Sequence, residues 1–201
     1  VTGSSGFLGS HIVDTLHENG IEPILFDSKE SIYKKSDHNE YIGDILDFSE
    51  LKNAAKDCDA IFHFAAQADI LKSTESPVDT IKENILGTQN LLEVARQLKI
   101  KRFIFASTVY VYSELGSFYR VSKQSCEKLI EEYKRQFNID YTILRYGSLY
   151  GPRANEFNAV NDFLLQALND KKIIRKGNGE ELREYIHVKD AALSSFNALN
   201  D

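Results

Sequence analysis

The stretch Val1-Thr2-Gly3-Ser4-Ser5-Gly6-Phe7-Leu8-Gly9 constrains this chain more than any other, because its glycines are spaced three apart between a strand end at Val1-Thr2 and an amphipathic run. That pattern predicts a strand, a tight turn and the start of a helix. Gly3 permits the turn, Gly6 lets the backbone approach a pyrophosphate, and Gly9 lets the helix pack against the strand, with unpaired helix amides facing the anion. The spacing differs from the commoner Gly-x-Gly-x-x-Gly, so a plain glycine-rich turn competes with this reading until the rest of the chain is considered.

The chain then alternates helix and strand patterns. Ile12, Val13 and Leu16 form a helical stripe that Asn19-Gly20 ends. A strand follows over Ile21-Glu22-Pro23-Ile24-Leu25-Phe26 and ends on Asp27, 18 residues beyond Gly9. An acidic residue about 20 positions on can accept hydrogen bonds from an adenosine ribose. Its charge would repel a 2'-phosphate and favours NAD over NADP, although Lys29 lies close in sequence. Residues 28 to 40 are polar and irregular, and Tyr41 to Ile45 reads as a short strand and turn that brings Asp44 towards an adenine. Leu51, Ala54 and Ala55 mark a short helix, and Asp59 to Phe64 reads as a buried parallel strand. The small residues Ala65-Ala66, with Gln67, leave room for a cofactor at its C-terminal end. His63 has no metal-spaced partner and reads as a core histidine; no metal site is expected.

Pro77 to Leu98 reads as one long helix with two apolar faces, one for the sheet and one for a second copy of the protein. Asn84 interrupts that surface and is expected to hold a backbone or ligand group. The strand Lys101 to Ala106 delivers Ser107-Thr108 to the same edge. Tyr119 and Lys123, four apart on a helix opened by Gly116-Ser117, share one face. A charged lysine there lowers a tyrosine pKa from about 10 by about 1 to 3 pH units, which makes a base near neutral pH. Further on, Tyr141 to Tyr146 reads as a strand, Gly147 to Arg153 as a loop at the active edge, and Phe157 to Leu168 as a helix. Lys171 to Arg175 reads as a short strand, and Arg183 to Asp190 leads into a last helix, Ala191 to Leu199.

With 201 residues, 42% of them hydrophobic, the chain can bury a core as one α/β domain plus the beginning of a second. It carries no apolar run near the ~20 residues of a membrane span. The net charge of −6 argues against a broad nucleic-acid footprint. Cys58 and Cys126 stand in no metal-ligand spacing and read as reduced thiols of a cytoplasmic protein. The chain starts inside its presumed first strand and contains no methionine, so part of a longer protein is expected to be missing.

The combination resembles the extended short-chain dehydrogenase/reductase family, in particular its NAD-dependent epimerase/dehydratase group acting on nucleotide sugars. The residues that carry the likeness are the first nine, Gly43-Asp44-Ile45, His63-Phe64-Ala65-Ala66, Glu83-Asn84-Ile85-Leu86-Gly87-Thr88, Ser107-Thr108 with Val111-Tyr112, Tyr119-Arg120-Val121-Ser122-Lys123, Leu144-Arg145-Tyr146, Tyr150-Gly151-Pro152, and Arg183-Glu184-Tyr185-Ile186-His187-Val188. The likeness implies an α/β fold, a Rossmann-type doubly wound parallel sheet. Its NAD-binding domain would span 1–150, and 151–201 would begin a substrate-binding region interleaved with the Rossmann core and truncated at its C-terminus. It implies Thr108 as catalytic hydroxyl, Tyr119 as base, and Lys123 as the partner that also holds the nicotinamide ribose. Gly3, Ser5, Gly6, Phe7 and Leu8 would surround the pyrophosphate, Asp27 the adenosine ribose, and Asp44 and Ile45 the adenine. Ala65, Ala66 and Gln67 would flank the nicotinamide, with Asn84 also in the cofactor set. Thr108, Ser148 and Arg183 would contact a nucleotide-diphosphate sugar, Arg183 through the planar fork that suits a diphosphate.

The resemblance implies a NAD-dependent epimerase working by transient oxidation at C4 of the sugar, in a homodimer joined through helices around 78–98 and 117–137. Three departures stand beside it. Val109-Tyr110 occupies the place of the Asp-Glu of sugar 4,6-dehydratases, and decarboxylase relatives also carry a glutamate at the position of Tyr110. Ser148 replaces a frequent asparagine, and only eleven residues separate Ser107 from Tyr119. A nucleotide-sugar reductase or dehydratase using NAD(P), and a non-catalytic dinucleotide-binding protein, are the alternative readings.

Overall fold

Residues 1 to 3 supply the middle of a parallel sheet. Thr2 bridges Phe26 on one side and His63 on the other. Its amide donates to the Phe62 carbonyl at 2.9 Å, Phe26 N donates to Val1 O at 2.9 Å, and Gly3 N donates to Phe26 O at 3.0 Å. The computed structural model describes residues 1–155, 158–175, 177–180 and 182–200. On one side of the central segment lie β1 (Ile24–Asp27) and β2 (Asn39–Ile42). On the other lie β3 (Ala60–His63), β4 (Arg102–Thr108) and β5 (Asp140–Tyr146). All of these pairings are parallel. The winding reverses at residues 1 to 3, which makes the sheet doubly wound and opens a crevice at the strands' C-terminal ends.

Successive side chains point to opposite faces, so each central strand feeds two cores. Ile61, Phe103 and Phe105 join Leu51 of α2 (Phe48–Ala54), Leu91 and Leu92 of α5 (Gly87–Leu98), and Ile130 of α6 (Ser117–Phe137). Phe62 and Ile104 turn the other way, to Ile12 and Leu16 of α1 (Phe7–Glu18) and Ala192 of α8 (Val188–Asn197). Phe103, Phe105, Leu92 and Ile104 have no exposed surface. Burying side chains of this size is worth about 1.5–3 kcal/mol each.

Several expected elements change on folding. β1 starts only at Ile24, after Pro23, which has no amide to give the ladder; Ile21 N instead closes α1 by donating to Leu16 O at 3.0 Å. A short α3 (Ile70–Glu75), capped by the Asp69 carboxylate, precedes the expected long helix. That helix is broken into α4 (Pro77–Ile81), a π-helical turn (Lys82–Leu86) and α5. The expected loop after β5 contains β6 (Ser148–Tyr150), which pairs with β7 (Tyr185–His187) in parallel. These three-residue strands carry too short a pattern to be read without their partner. The expected strand at 171–175 is absent. Ile173 and Ile174 are exposed, and Ile174 N donates to Gln166 Oε1 at 2.7 Å. α7 (Ala159–Asp170) is capped by Asn158, and Phe157, expected in that helix, lies outside the described residues.

The closest packing is in the glycine turn, where a Cβ on Gly9 would lie 1.9 Å from Gly3 O. Gly9→Ala is expected to cost about 3 kcal/mol in a urea unfolding titration, near the top of the overpacking range. Gly20→Ala, at φ +76° with nothing within 4 Å of its Cβ, should cost only about 1 kcal/mol of backbone strain. Equal losses would contradict close packing as the reason for Gly9.

Candidate active site

The turn between residues 2 and 7 is held in an anion-accepting shape by contacts on both sides. Gly3 adopts φ +69°, and a Cβ there would stand 2.6 Å from Ala65 N. A Cβ on Gly6 would meet only the Gly3 carbonyl, at 3.2 Å, and no side chain caps the N-terminus of α1. Ser5 N donates to Asp27 Oδ2 at 3.0 Å, and Ser5 Oγ donates to Lys29 O at 2.8 Å, so the turn is tied to the end of β1. Asp27 Oδ1 accepts from Lys29 N at 3.2 Å, and the carboxylate remains half-buried beside the cradle. Phe7 and Leu8 open the helix at the half-buried rim. Asp44 Oδ1 accepts from Leu46 N at 2.9 Å, while the Ile45 side chain sits in the core and its carbonyl accepts from Asn90 Nδ2 at 3.1 Å.

A chain of hydrogen bonds runs behind the cradle. Thr88 Oγ1 donates to Asn84 O at 2.6 Å, so it accepts from His63 Nε2 at 2.9 Å. His63 Nδ1 is then an acceptor for Thr2 Oγ1 at 2.8 Å, and Thr2 Oγ1 in turn accepts from Ala65 N at 3.3 Å. Burial holds the imidazole well below its usual pKa, which keeps the neutral form this pattern needs. His63 is the satisfied core histidine its sequence context suggests.

The π-helical turn explains Asn84. The inserted residue brings this side chain inward, where it is 1% exposed. Its Oδ1 accepts from Gln67 N at 2.8 Å, and its Nδ2 donates to Gln67 O at 3.1 Å and to Ser122 Oγ at 2.8 Å. Expected in the cofactor set, Asn84 spends its amide on the backbone of Gln67 and so positions the half-buried Ala65-Ala66-Gln67 edge.

Thr108, Tyr119 and Lys123 converge at the end of β4. Thr108 is buried, and its hydroxyl accepts from Tyr110 N at 3.3 Å. Lys123, 3% exposed, donates from Nζ to Ala106 O at 2.7 Å and lies 4.5 Å from the centre of the Phe105 ring and 5.8 Å from that of Tyr119. The expected lowering of the tyrosine pKa does not occur in this state. Burial pushes the Tyr119 phenol up to about 12, against a weaker lowering by the Thr108 hydroxyl. Burial likewise brings the Lys123 ammonium down to about 8. Desolvation dominates at both groups, and the lysine charge is spent on the Ala106 carbonyl and stands over the Phe105 ring.

Behind them lies a network the sequence reading missed. Ser107 Oγ donates to Glu127 Oε1 at 2.5 Å, and Arg145 grips the same carboxylate with Nε at 3.0 Å and Nη2 at 2.7 Å. Burial opposes the Glu127 charge, but the arginine fork and the serine hydroxyl hold its pKa below the usual carboxylate value. Arg145 also donates to Tyr112 Oη and stacks 4.8 Å from that ring. The one sequence signal for Glu127 is its place four residues after Lys123, on the same helical face. On the substrate side, β6 and β7 carry Ser148 and bring exposed Arg183 to the rim, where its Nη1 donates to Tyr110 Oη at 3.1 Å.

The model of the NAD dependent epimerase/dehydratase family matches residues 1–201. The chain belongs to that family. It is 36% identical over 223 aligned residues to a putative UDP-glucose 4-epimerase of Methanocaldococcus jannaschii, covering 100% of this chain and 72% of that protein. Its fold matches the crystal structure of UDP-glucose 4-epimerase from Thermotoga maritima with UDP-glucose, at TM-score 0.93 and 31% identity over 98% of this chain and 72% of the other. It also matches UDP-glucose 4-epimerase of Thermus thermophilus in complex with NAD, at TM-score 0.89 and 30% identity over 100% and 73%. UDP-glucuronic acid decarboxylases of Arabidopsis thaliana and a dTDP-D-glucose 4,6-dehydratase of Dictyostelium discoideum are similar at 28 to 29%.

The Rossmann-type sheet and the NAD cofactor implied by the family agree with the cradle itself. A dinucleotide needs a turn without side chains, an uncapped helix N-terminus and a carboxylate at the next strand end, and Gly3, Gly6, α1 and Asp27 supply them.

Burial of Lys123 has a consequence for stability against pH. Its folded pKa, about 8, lies below the ordinary 10.5, so between these values the unfolded chain binds the extra proton and stability rises with pH. Below about 8 the full cost of burying the ammonium is present; above 10.5 it is gone. The difference in unfolding free energy between wild type and Lys123→Met should therefore shift by about 3 kcal/mol across this window. Urea titrations at several pH values measure it, and a flat difference would refute the buried ammonium.

Proposed function

We propose that this chain carries the active site of a NAD-dependent epimerase of a nucleotide-diphosphate sugar. The observation that carries the reading is the convergence of Thr108, Tyr119 and Lys123 at the same sheet edge as the glycine cradle, with Arg183 at the rim. Bound NAD would supply, beside the sugar C4, the acceptor and later the donor of a hydride, and its nicotinamide charge would add to that of Lys123 near the Tyr119 phenol. Tyr119 takes the proton of the sugar hydroxyl as phenolate and later gives it back. Thr108 hydrogen-bonds that oxygen and the phenol together, which fixes the direction of transfer. Lys123 holds the ribose side and keeps a positive charge near the phenolate. Gly3, Ser5, Gly6, Phe7 and Leu8 hold the pyrophosphate, Asp27 the ribose, Asp44 and Ile45 the adenine, and Ala65, Ala66 and Gln67 the nicotinamide side. Arg183, steadied by Tyr110, grips the substrate diphosphate beside Ser148.

Water elimination fits less well. Val109 is apolar, and the Tyr110 hydroxyl engages Arg183, so neither supplies the carboxyl pair that dehydratases use. A reductase would use the same residues but consume reduced cofactor, which distinguishes it. Two chains would pair through α4 and α6, where Val78, Phe118 and Val121 are exposed. Among the described residues no helix is long and apolar enough to cross a membrane.

Full-length protein given UDP-glucose and NAD, followed by NMR of the products, should form the C4 epimer without net change in cofactor. Tyr119→Phe should lower kcat by about 10³-fold while NAD affinity is kept, the scale of a lost general base. Retention of most activity would remove Tyr119 from its role, and stoichiometric loss of NADH would favour the reductase.

A further inference from the structure

The last turn of α1 and the loop before β2 bring together three side chains that the reaction does not use. His17 Nδ1 and His38 Nε2 face each other at 3.3 Å, with ring centroids 5.0 Å apart and planes at 70°. An Asp37 carboxylate oxygen completes a cluster whose donor atoms all lie within 4.8 Å of one another. Both imidazoles are half-buried and Asp37 is exposed. α1 starts at the glycine turn and β2 starts at Asn39, so this cluster lies at the opposite edge of the sheet from the catalytic residues.

The nitrogen spacing is informative. A tetrahedral ion with metal–nitrogen bonds of about 2.0–2.1 Å holds its donors about 3.3–3.4 Å apart, which is the separation of these two nitrogens. Converging lone pairs at that distance need a proton or a cation between them. Lys35 N donates to His38 Nδ1 at 3.3 Å, so His38 carries its proton on Nε2 and shares it with His17. A metal ion would replace that proton, which moves to Nδ1 at the expense of the long bond from Lys35. Two imidazoles and one carboxylate suit zinc and its neighbours, whereas calcium and magnesium prefer oxygen alone.

We infer that His17, Asp37 and His38 form a binding site for a zinc-type divalent ion, which clamps the end of α1 to the loop leading into β2, with water as the fourth ligand. His17 lies 20 residues before Asp37 and 21 before His38, so no spacing signal announces the set in the sequence.

The test is titration of the metal-free protein with Zn²⁺ by calorimetry and with Co²⁺ by visible absorption. One ion per chain, intense tetrahedral cobalt bands and a higher unfolding temperature with Zn²⁺ are expected. His17→Gln and His38→Gln should each weaken Zn²⁺ binding by at least about tenfold, the low end of what even outer partners of a metal cost. Asp37→Asn, at an exposed position that does not endanger folding, should also weaken it, with circular dichroism confirming the native fold. Cys58→Ser should bind as wild type does. Absence of stoichiometric binding, weak octahedral cobalt bands, unchanged affinity in Asp37→Asn and both histidine variants, or loss of binding in Cys58→Ser would overturn the site.

Discussion

The hydrogen bonding of three residues, Val1 to Gly3, on both of their edges is what the rest of the structure depends on. These residues pair with β1 on one side and with β3 on the other, and so join the two halves of the sheet. The chain must then leave at once into α1, and the space for that exit comes from Gly3, turned against Ala65, and Gly9, packed on the Gly3 carbonyl. The cofactor crevice follows from this exit, because the winding reverses here and the first helix amides emerge without a cap.

A second layer of order runs through buried polar groups. His63 joins the central segment to Thr88, Thr88 joins the carbonyl of Asn84, and the Asn84 amide holds Gln67 and Ser122. Each member both gives and receives hydrogen bonds, so the network is satisfied and makes the loop after β3 continuous with α5 and α6. The π-helical turn is the device that allows it: one extra residue turns Asn84 into the interior.

The reaction centre is built with its charges suppressed. Tyr119 and Lys123 are both desolvated, and burial moves each towards its neutral form. Glu127 keeps its charge because Arg145 and Ser107 are bonded to it, although burial opposes it.

The glycine turn, the buried strands, Asp27 and the Tyr119–Lys123 pair were legible in the sequence because each is a local pattern: a glycine spacing, an apolar run, two residues one helical turn apart. So was the delivery of Ser107-Thr108 to the C-terminal edge of the sheet, at the end of a strand whose direction the alternation implied. Other features rested on partners distant in the chain. β6 and β7 exist only through each other, the Ser107–Glu127–Arg145 network joins three elements, and His17 meets His38 only when α1 lies beside the loop before β2. The direction of the tyrosine pKa was misread for the same reason, since helical spacing places Lys123 near Tyr119 but does not say how deeply either is buried or what else the ammonium bonds. Sequence by itself determined the order of the elements and the chemistry at the strand ends, which are short-range properties of backbone and side chain. Tertiary structure alone decided the solvation of those groups, because desolvation is set by everything that packs around them.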